Sequence, residues 1–518
     1  MTTLIPPKPK RQRKNPTLTT SVPSNGVAPS IVCQFRNSKD GTLLGPSVSL
    51  PADTGREGLE LLVNNLRGTA EDPVPFSFHI QLPSTDSTTT PEEGLRLTIS
   101  KSIQQDLLQD VKLGSKLSTE DVFIIDCEPE AVFKVREITR CSSSLDGHAS
   151  PILCASFSPT GKYLATGSGD STCRLWNLDS ETPAQTLSGH TNWVLCVEWD
   201  GLERWVATGS MDNQIRLWDP KTGKSQGGDG LKGHTKWITS LSWEPIHLNP
   251  TSPRLASSSK DSTVRIWNPR TRKLDFTLGG HTASVNQVRW GGEGLIFTAS
   301  SDRTVKIWDG NQSGKLIRTL SEHAHWVNTL ALNTDFILRT GPFDQHGKLP
   351  SSDEQAKELA LKRYKNFTSN TPEQLISGSD DHTLFLWPAL NTSPPPSNPK
   401  KPVARLMGHQ KQVNHVAWSP DGRFIASAGF DNAVKLWDGR TGKFIASLRG
   451  HVAAVYRVSW SSDSRMLVSA SKDSTLKLWD LKTFKIRVDL PGHADEVYCV
   501  DFVADKIASG GRDKKVKM

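Results

Sequence analysis

The 518-residue chain contains no apolar run long enough to cross a membrane. Its first residues carry charges and prolines where a secretion signal needs an apolar core. A soluble, intracellular protein is therefore expected. Cysteine is sparse and unpatterned: Cys33, Cys127, Cys141, Cys154, Cys173, Cys196 and Cys499 are odd in number and include no CxxC. That excludes a disulfide scaffold or a zinc module built on Cys/His spacing, and it suits a reducing compartment. No GxSxG and no HExxH occur. Gly223-Lys224-Ser225 imitates the end of a phosphate-binding loop, but Trp218 stands where the earlier glycine is required. The chain thus reads as non-catalytic, with no metal or cofactor bound by its own residues. Tyrosine is rare, 4 residues against 16 tryptophans.

The sequence is rich in turn formers, with 39 Gly and 32 Pro, which favours short strands over long helices. It is also too long for a single ordinary core. The net charge is +8, and Lys8, Lys10, Arg11, Arg13 and Lys14 crowd into the first sixteen residues without an acidic neighbour. Residues 1–29 lack apolar periodicity and read as a disordered basic tail, suited to nuclear import or to phosphate contact. The rest of the chain is close to charge balance, so its body need not be a nucleic-acid surface.

A repeat runs through residues 129–518. Gly-His recurs with His148, His190, His234, His281, His409, His451 and His493, and a degenerate copy reads Glu322-His323. In phase with it, an Asp stands six residues before a Trp. The pairs are Asp170 with Trp176, Asp212 with Trp218, Asp261 with Trp267, Asp302 with Trp308, Asp381 with Trp387, Asp431 with Trp437 and Asp473 with Trp479. Asp513 begins an eighth pair, but the sequence stops at Met518, one residue before its expected Trp. Each unit holds three alternating apolar runs, as in Ile152–Phe157, Tyr163–Thr166 and Thr172–Trp176. One such unit cannot bury both faces of its sheet alone, so neighbours must stack.

These markers resemble the WD40 family, which implies an eight-bladed, mainly β propeller. Its His, Ser/Thr, Asp and Trp form buried networks that hold each blade, so these His and Asp read as structural rather than as acid–base pairs. The alternating segment Ala131–Ile138 is expected to supply the outer strand of blade eight beside Lys514–Met518, closing the ring. Residues 338–371 read as an insertion in blade five. Ser352 to Gln355 forms a capping box for a helix reaching about Phe367, and its stripe Leu359, Lys362, Arg363 and Phe367 suits the rim. Pro388–Val403, with Pro394-Pro395-Pro396, reads as a stiff surface loop.

Residues 30–128 suggest a small α+β domain. Ile31–Phe35 and Leu43–Leu50 read as strands, with Asp53 or Thr54 capping a helix from Gly55 to Leu66. That helix buries Leu59, Leu62, Val63 and Leu66. Pro75–Leu82 and Asp121–Cys127 read as further strands, an order that resembles the ubiquitin-like β-grasp.

The combination with Gly233–Ile246 (GHTKWITSLSWEPI), Trp290–Leu295 (WGGEGL), Ser377–Trp387 (SGSDDHTLFLW), Trp437–Tyr456 (WDGRTGKFIASLRGHVAAVY) and Gly492–Tyr498 (GHADEVY) resembles the Notchless family over roughly residues 31–518. The resemblance implies a monomeric assembly factor of the large (60S) ribosomal subunit, in the nucleus, nucleolus and nucleoplasm. Its propeller would anchor on pre-60S proteins, assembly factors and rRNA. Its ubiquitin-like domain would be gripped by the metal-ion-dependent adhesion site of the AAA ATPase midasin, whose Mg²⁺ is completed in trans by a carboxylate. Such an ion favours a hard oxygen on an exposed, ordered tip. The segment Leu117–Val122 places Glu120 there, with Asp121 second and Glu92 and Glu93 third. A rival reading is an adaptor in Notch signalling or ubiquitin-ligase substrate recruitment.

Overall fold

The computed structural model describes residues 30–37, 41–68, 76–82, 95–99, 102–104, 122–129, 141–343, 349–369, 371–388, 401–503 and 506–518. Two compact units divide the chain between Glu128 and Pro129, with residues 72–77 grouped with the second.

In the first unit, alternation in β1 (Ser30–Asn37) buries Ile31, Cys33 and Phe35. β1 pairs antiparallel with β2 (Val48–Pro51), which is shorter than the expected Leu43–Leu50; Leu43 makes only an isolated bridge to Arg36. Helix α1 (Arg56–Leu66) buries Leu59 and Val63 fully and leaves Leu62 and Leu66 half-buried. Its N-cap is Gly55, without a side-chain cap; Thr54 instead donates its hydroxyl to the Pro51 carbonyl at 2.6 Å, and so neither Asp53 nor Thr54 caps the helix. β3 (Phe76–Leu82), β4 (Leu95–Thr98) and β5 (Val122–Pro129) complete a sheet of order β2-β1-β5-β3-β4, in which β1 and β5 run parallel. Arg36 clamps Asp126 across that parallel pair at 2.6 and 3.0 Å.

Eight sheets form the second unit. Blade one is β7 (Ile152–Phe157), β8 (Tyr163–Ser168), β9 (Thr172–Asn177) and β10 (Thr182–Ser188). Blade two is β11 (Val194–Trp199), β12 (Val206–Ser210) and β13 (Ile215–Trp218), three strands only. Its fourth place is taken by the glycine-rich stretch after Trp218, which touches β13 through isolated bridges from Ser225 and Leu231. Blade three is β14 to β17 (Ile238–Trp243, Leu255–Ser259, Val264–Asn268, Lys273–Leu278). Blade four is β18 to β21 (Val285–Trp290, Leu295–Ser300, Val305–Asp309, Lys315–Leu320). Blade five is β22 to β25 (Val327–Leu332, Leu375–Ser379, Thr383–Trp387, Ala404–Met407), with α2 (Asp335–Thr340) and α3 (Asp353–Thr368) inserted between its first two strands. Blades six and seven are β26 to β29 (Val413–Trp418, Phe424–Gly429, Ala433–Asp438, Phe444–Arg449) and β30 to β33 (Val455–Trp460, Met466–Ser471, Leu476–Asp480, Lys485–Leu490).

Blade eight joins β34 (Val497–Val503), β35 (Lys506–Gly511) and β36 (Val516–Lys517) to an N-terminal strand, β6 (Ser144–Leu145). A clasp between chain ends was expected and is present, but its N-terminal half differs. The outer strand is Ser144–Leu145, paired with Lys517 and Val516; Ala131–Ile138 lies outside the described residues. Backbone bonds from Ser142 and Met518 extend the clasp. The innermost strands of successive blades pack against one another around the ring, and β34 meets β7 to close it.

Between blades, each interface is a buried apolar layer, such as Ala207, Ile215 and Leu217 of blade two against Ile238, Leu241 and Trp243 of blade three. Polar staples add direction. Near the starts of the inner strands, Thr239, Asn286, Asn328 and Asn414 donate to the Val285, Val327, Val413 and Val455 carbonyls of the next blade at 2.6–3.2 Å. At the strand ends, indole N–H groups of Trp199, Trp243, Trp418 and Trp460 donate back to the preceding blade at 3.0–3.4 Å.

Candidate functional site

Each blade carries one buried relay. The histidine Nδ1–H donates to the Asp carboxylate at 2.6–2.9 Å in all eight blades. Its Nε2 lies 2.7–2.9 Å from a hydroxyl of the second strand, namely Thr166, Thr208, Ser257, Thr298, Ser377, Ser427, Ser469 or Ser509. In blades one to seven an indole N–H donates to that same hydroxyl at 2.8–2.9 Å. The donors are, in blade order, Trp176, Trp218, Trp267, Trp308, Trp387, Trp437 and Trp479, the seven tryptophans that the Asp-to-Trp spacing singles out. All seven are buried; Trp267 and Trp308 are 3% exposed and Trp479 is 1% exposed, so these rings fasten blades and offer no surface to a partner. In blade eight the relay stops at His493, Asp513 and Ser509.

The directions are mutually consistent. The indole gives to the hydroxyl, the hydroxyl gives to Nε2, and Nδ1–H gives to the carboxylate, so the imidazole is assigned as neutral. The degenerate Glu322-His323 serves as well as Gly-His, because the histidine alone makes the contacts.

The electrostatics agree with that assignment. Burial pushes the His148, His451 and His493 imidazoles below their usual value, against the pull of Asp170, Asp473 and Asp513. Burial works to raise Asp170, but hydrogen bonds from Thr172, the Ala149 N–H and His148 together hold it at about 2. Asp261, Asp302 and Asp381 are held below the carboxylate range in the same way. A proton-transfer catalyst needs a group poised near neutrality and open to substrate. These groups are sealed and fully partnered, which is the physics of a blade fastener.

The face that carries the Gly-His turns also carries aromatic side chains that the repeat does not require. Trp193, Trp237 and Trp326 each stand three residues after the blade histidine, and they are 50%, 39% and 52% exposed. Lys260 holds its ammonium 4.3 Å from the Trp237 ring centre. Beside them Phe430, Tyr456 and Tyr498 form an edge-to-face and tilted cluster, with the Tyr456 hydroxyl donating to Glu496 at 3.0 Å. Exposed aromatics on a rigid frame are the usual anchors of macromolecular interfaces. Their sequence signal is a Trp after Gly-His-Thr-Asn, Gly-His-Thr-Lys and Glu-His-Ala-His, which a reading fixed on the Asp-to-Trp spacing passes over.

The opposite face is occupied by the blade-five insertion, which does not lie on the rim as its mixed stripe suggested. Ser352 caps α3 by accepting from Gln355 N–H, whereas the Gln355 side chain returns to Ser351 rather than Ser352. Ala356, Ala360 and Tyr364 are the buried face. Tyr364 stacks on His247 of blade three at 4.8 Å and donates to Glu373 at 3.3 Å. Phe367 reaches Gly422 of blade six, and Asp353 stands 4.0 Å from Arg204 of blade two. Arg363 donates to the carbonyls of Gly341 and Phe343. The insertion therefore spans several blades. Glu373 also accepts from Gly292 N–H and the Thr334 hydroxyl, both at 2.8 Å, and burial lifts its pKa to about 7.

Glu120, Asp121, Glu92, Glu93, the tail residues Lys8, Lys10, Arg11, Arg13 and Lys14, and the Pro394 loop lie outside the described residues. The seven cysteines are free thiols, and among the described residues no group of three His, Cys, Asp or Glu could hold a metal ion.

Eight ring-closed blades with buried relays define a WD40 propeller, a class of binding scaffold. The WD40 family (WD domain, G-beta repeat) matches residues 139–177, 181–219, 228–268, 272–309, 400–438, 442–480 and 484–518, and the NLE (NUC135) domain matches residues 31–107. Blade five escapes the repeat match because its first two strands are separated by the insertion. These matches indicate no catalytic family. The chain is 49% identical over 454 residues to Ribosome assembly protein 4 of Saccharomyces cerevisiae, covering 86% of this chain and 85% of that one. It is 45% identical over 389 residues to Protein Notchless of Drosophila melanogaster, covering 74% of each. It is 46% identical over 406 residues to the Notchless protein homolog of Arabidopsis thaliana, covering 78% and 80%. A computationally designed protein, Ika8, matches with TM-score 0.57 and 24% identity over 73% of this chain and 98% of its own, a likeness of fold alone. The chain belongs to the Notchless and ribosome assembly protein 4 family.

Proposed function

We propose that this protein is a non-catalytic assembly factor of the large ribosomal subunit, acting in the nucleolus and nucleoplasm. The observation that carries the reading is the near full-length relationship to a protein named for ribosome assembly. A fold built of sealed relays and exposed aromatic anchors supports a binding rather than a catalytic role. In this reading the propeller is anchored on the pre-60S particle through the face that carries Trp193, Trp237 and Trp326, since the other face is covered by the insertion.

The N-terminal unit is the handle. Its mixed sheet with a parallel central pair, together with helix α1, supports the β-grasp reading. Its proposed partner is the adhesion domain of midasin, with Glu120 as the carboxylate offered to the partner's Mg²⁺ and Asp121 as the alternative. ATP-driven pulling on that handle would remodel the particle or release the factor. No cofactor is required by this chain itself, and the basic tail would serve import or rRNA contact.

The test is twofold. Co-sedimentation with pre-60S particles in high salt should retain the full chain, and its absence there would favour an adaptor role instead. Pull-down with the midasin adhesion domain should be lost in EDTA and lost in Glu120→Asp, which shortens the reach by one methylene. Metal-independent capture would remove the carboxylate mechanism.

A further inference from the structure

A propeller closed by a clasp has one weak joint. Here β6 is two residues long, and only Ser144 with Lys517 and Leu145 with Val516 are in register. Everywhere else a covalent chain links successive blades, but the strands β34 to β36 are held to blade one by non-covalent contacts alone. Two register pairs, extended only by backbone bonds of Ser142 and Ser143 with Met518, are a thin fastening for a closing seam.

The insertion from blade five ends its reach at that seam. Helix α2 begins directly after the inner strand of blade five, yet Phe336 packs on the buried cluster formed by Leu145, Phe157, Val503, Val516 and Met518. Those residues belong to blades one and eight and to the clasp itself. One turn later, Arg339 clamps Asp501 of blade eight with a two-pronged contact at 2.6 and 3.1 Å. The same guanidinium reaches the Phe157 carbonyl of blade one at 3.4 Å. Asp501 in turn accepts from Phe157 N–H at 2.9 Å and from the Ser459 hydroxyl of blade seven at 3.2 Å. One carboxylate therefore gathers blades seven, eight and one together with the insertion. The rigid planar fork of arginine suits such a two-pronged contact, where the compact charge of lysine does not.

The other end of the insertion is fixed independently. Tyr364 is stacked on His247, and Glu373 holds Tyr364, Thr334 and Gly292 of blade four. A strap anchored on one side of a ring and tied on the other resists opening of the joint it crosses. We infer that the blade-five insertion is an internal brace that locks the seam between blades eight and one, in parallel with the terminal clasp. The inference rests on contacts within the propeller and does not depend on the ribosomal role.

Hydrogen exchange of the full chain, read by mass spectrometry, tests it. In Arg339→Leu, amides of β7, β34 and β35 should exchange at least about tenfold faster, while β14 to β20 keep their wild-type protection. Leu145→Asp should open the same strands, and the double variant should open them by more than the product of the two single effects. Faster exchange confined to α2 and α3 would show the insertion to be a cover only and would overturn the brace. Equal acceleration in every blade would overturn it too, since that is general destabilisation. If Arg339→Leu does not accumulate, Arg339→Lys keeps the charge and loses the fork. It should open the seam strands to a smaller degree, and unchanged protection there would refute the inference.

Discussion

The two ends of the propeller are built on opposite principles. At the Gly-His end the same solution is repeated eight times, one histidine, one hydroxyl and one aspartate per blade, with tryptophans left free on the surface. At the other end a single insertion makes contacts that occur once each, through Arg339, Arg363, Tyr364 and Glu373. Repetition spreads the fastening evenly round the ring, and the singular contacts concentrate it where the ring is joined. The difference extends to protons. In the relays, hydrogen bonds hold carboxylates such as Asp170 and Asp473 below their usual range and burial holds His148 and His451 below theirs, whereas Glu373 sits where burial favours its neutral form.

That contrast can be broken first at a relay. Asp261→Ala leaves His234 and the Thr235 N–H without their acceptor in a buried site, and about 3 kcal/mol of stability should be lost in chemical denaturation. A loss near zero would mean that the relays are ornamental.

Acid and base should act on opposite ends. Asp170 is held at about 2 against a usual 3.8, so its contribution is whole above about pH 4 and disappears as the pH falls toward 2. Buried His148, His451 and His493, whose imidazoles are held below the usual 6.5, add further loss as the pH falls below that value, because the unfolded chain takes up the proton first. Glu373 runs the other way. Its pKa is raised from 4.5 to about 7, so its contribution is complete below about pH 4.5 and is lost as the pH rises through 7. Glu373→Gln should flatten the pH dependence of unfolding free energy between pH 6 and 8, where the wild type declines by about 1.4 kcal/mol. An unchanged slope in the variant would assign the decline elsewhere.

Smaller effects should sharpen the picture. Tyr364→Phe keeps the stack on His247 and removes the hydroxyl bond to Glu373, which should cost about 1 kcal/mol. Trp326→Ala should change stability by no more than about 0.5 kcal/mol. The same substitution should weaken pre-60S retention if that face is the anchor, and full retention would point away from it.

Much of this was legible in the sequence, because repetition carries information. Eight histidines in phase, seven Asp–Trp pairs and alternating apolar runs specified blades, relays and ring. The hydroxyl partners, such as Ser427 and Ser469, were not individually identifiable, since every blade offers several serines or threonines. Residues that act once left no periodic trace. Arg339 finds Asp501 across 162 positions of sequence, and no local pattern announces such a pairing. Helix α3 was readable from its cap, but its direction was not, because its stripe mixes charge with apolar surface. The closing strand failed for a related reason: Ser144–Leu145 is too short to show alternation, whereas Ala131–Ile138 alternates well and drew the assignment.

The distribution of tryptophans gives the molecule an optical asymmetry. Seven indoles, from Trp176 to Trp479, lie in relays, shielded and hydrogen-bonded in nearly identical surroundings. Trp193, Trp237 and Trp326, 39–52% exposed, are the only exposed indoles among those the structure describes. A soluble quencher such as iodide will therefore see chiefly one face. When a partner covers that face, the quenchable fraction of the emission should shrink while the remainder stays constant, so the protein carries its own reporter of docking.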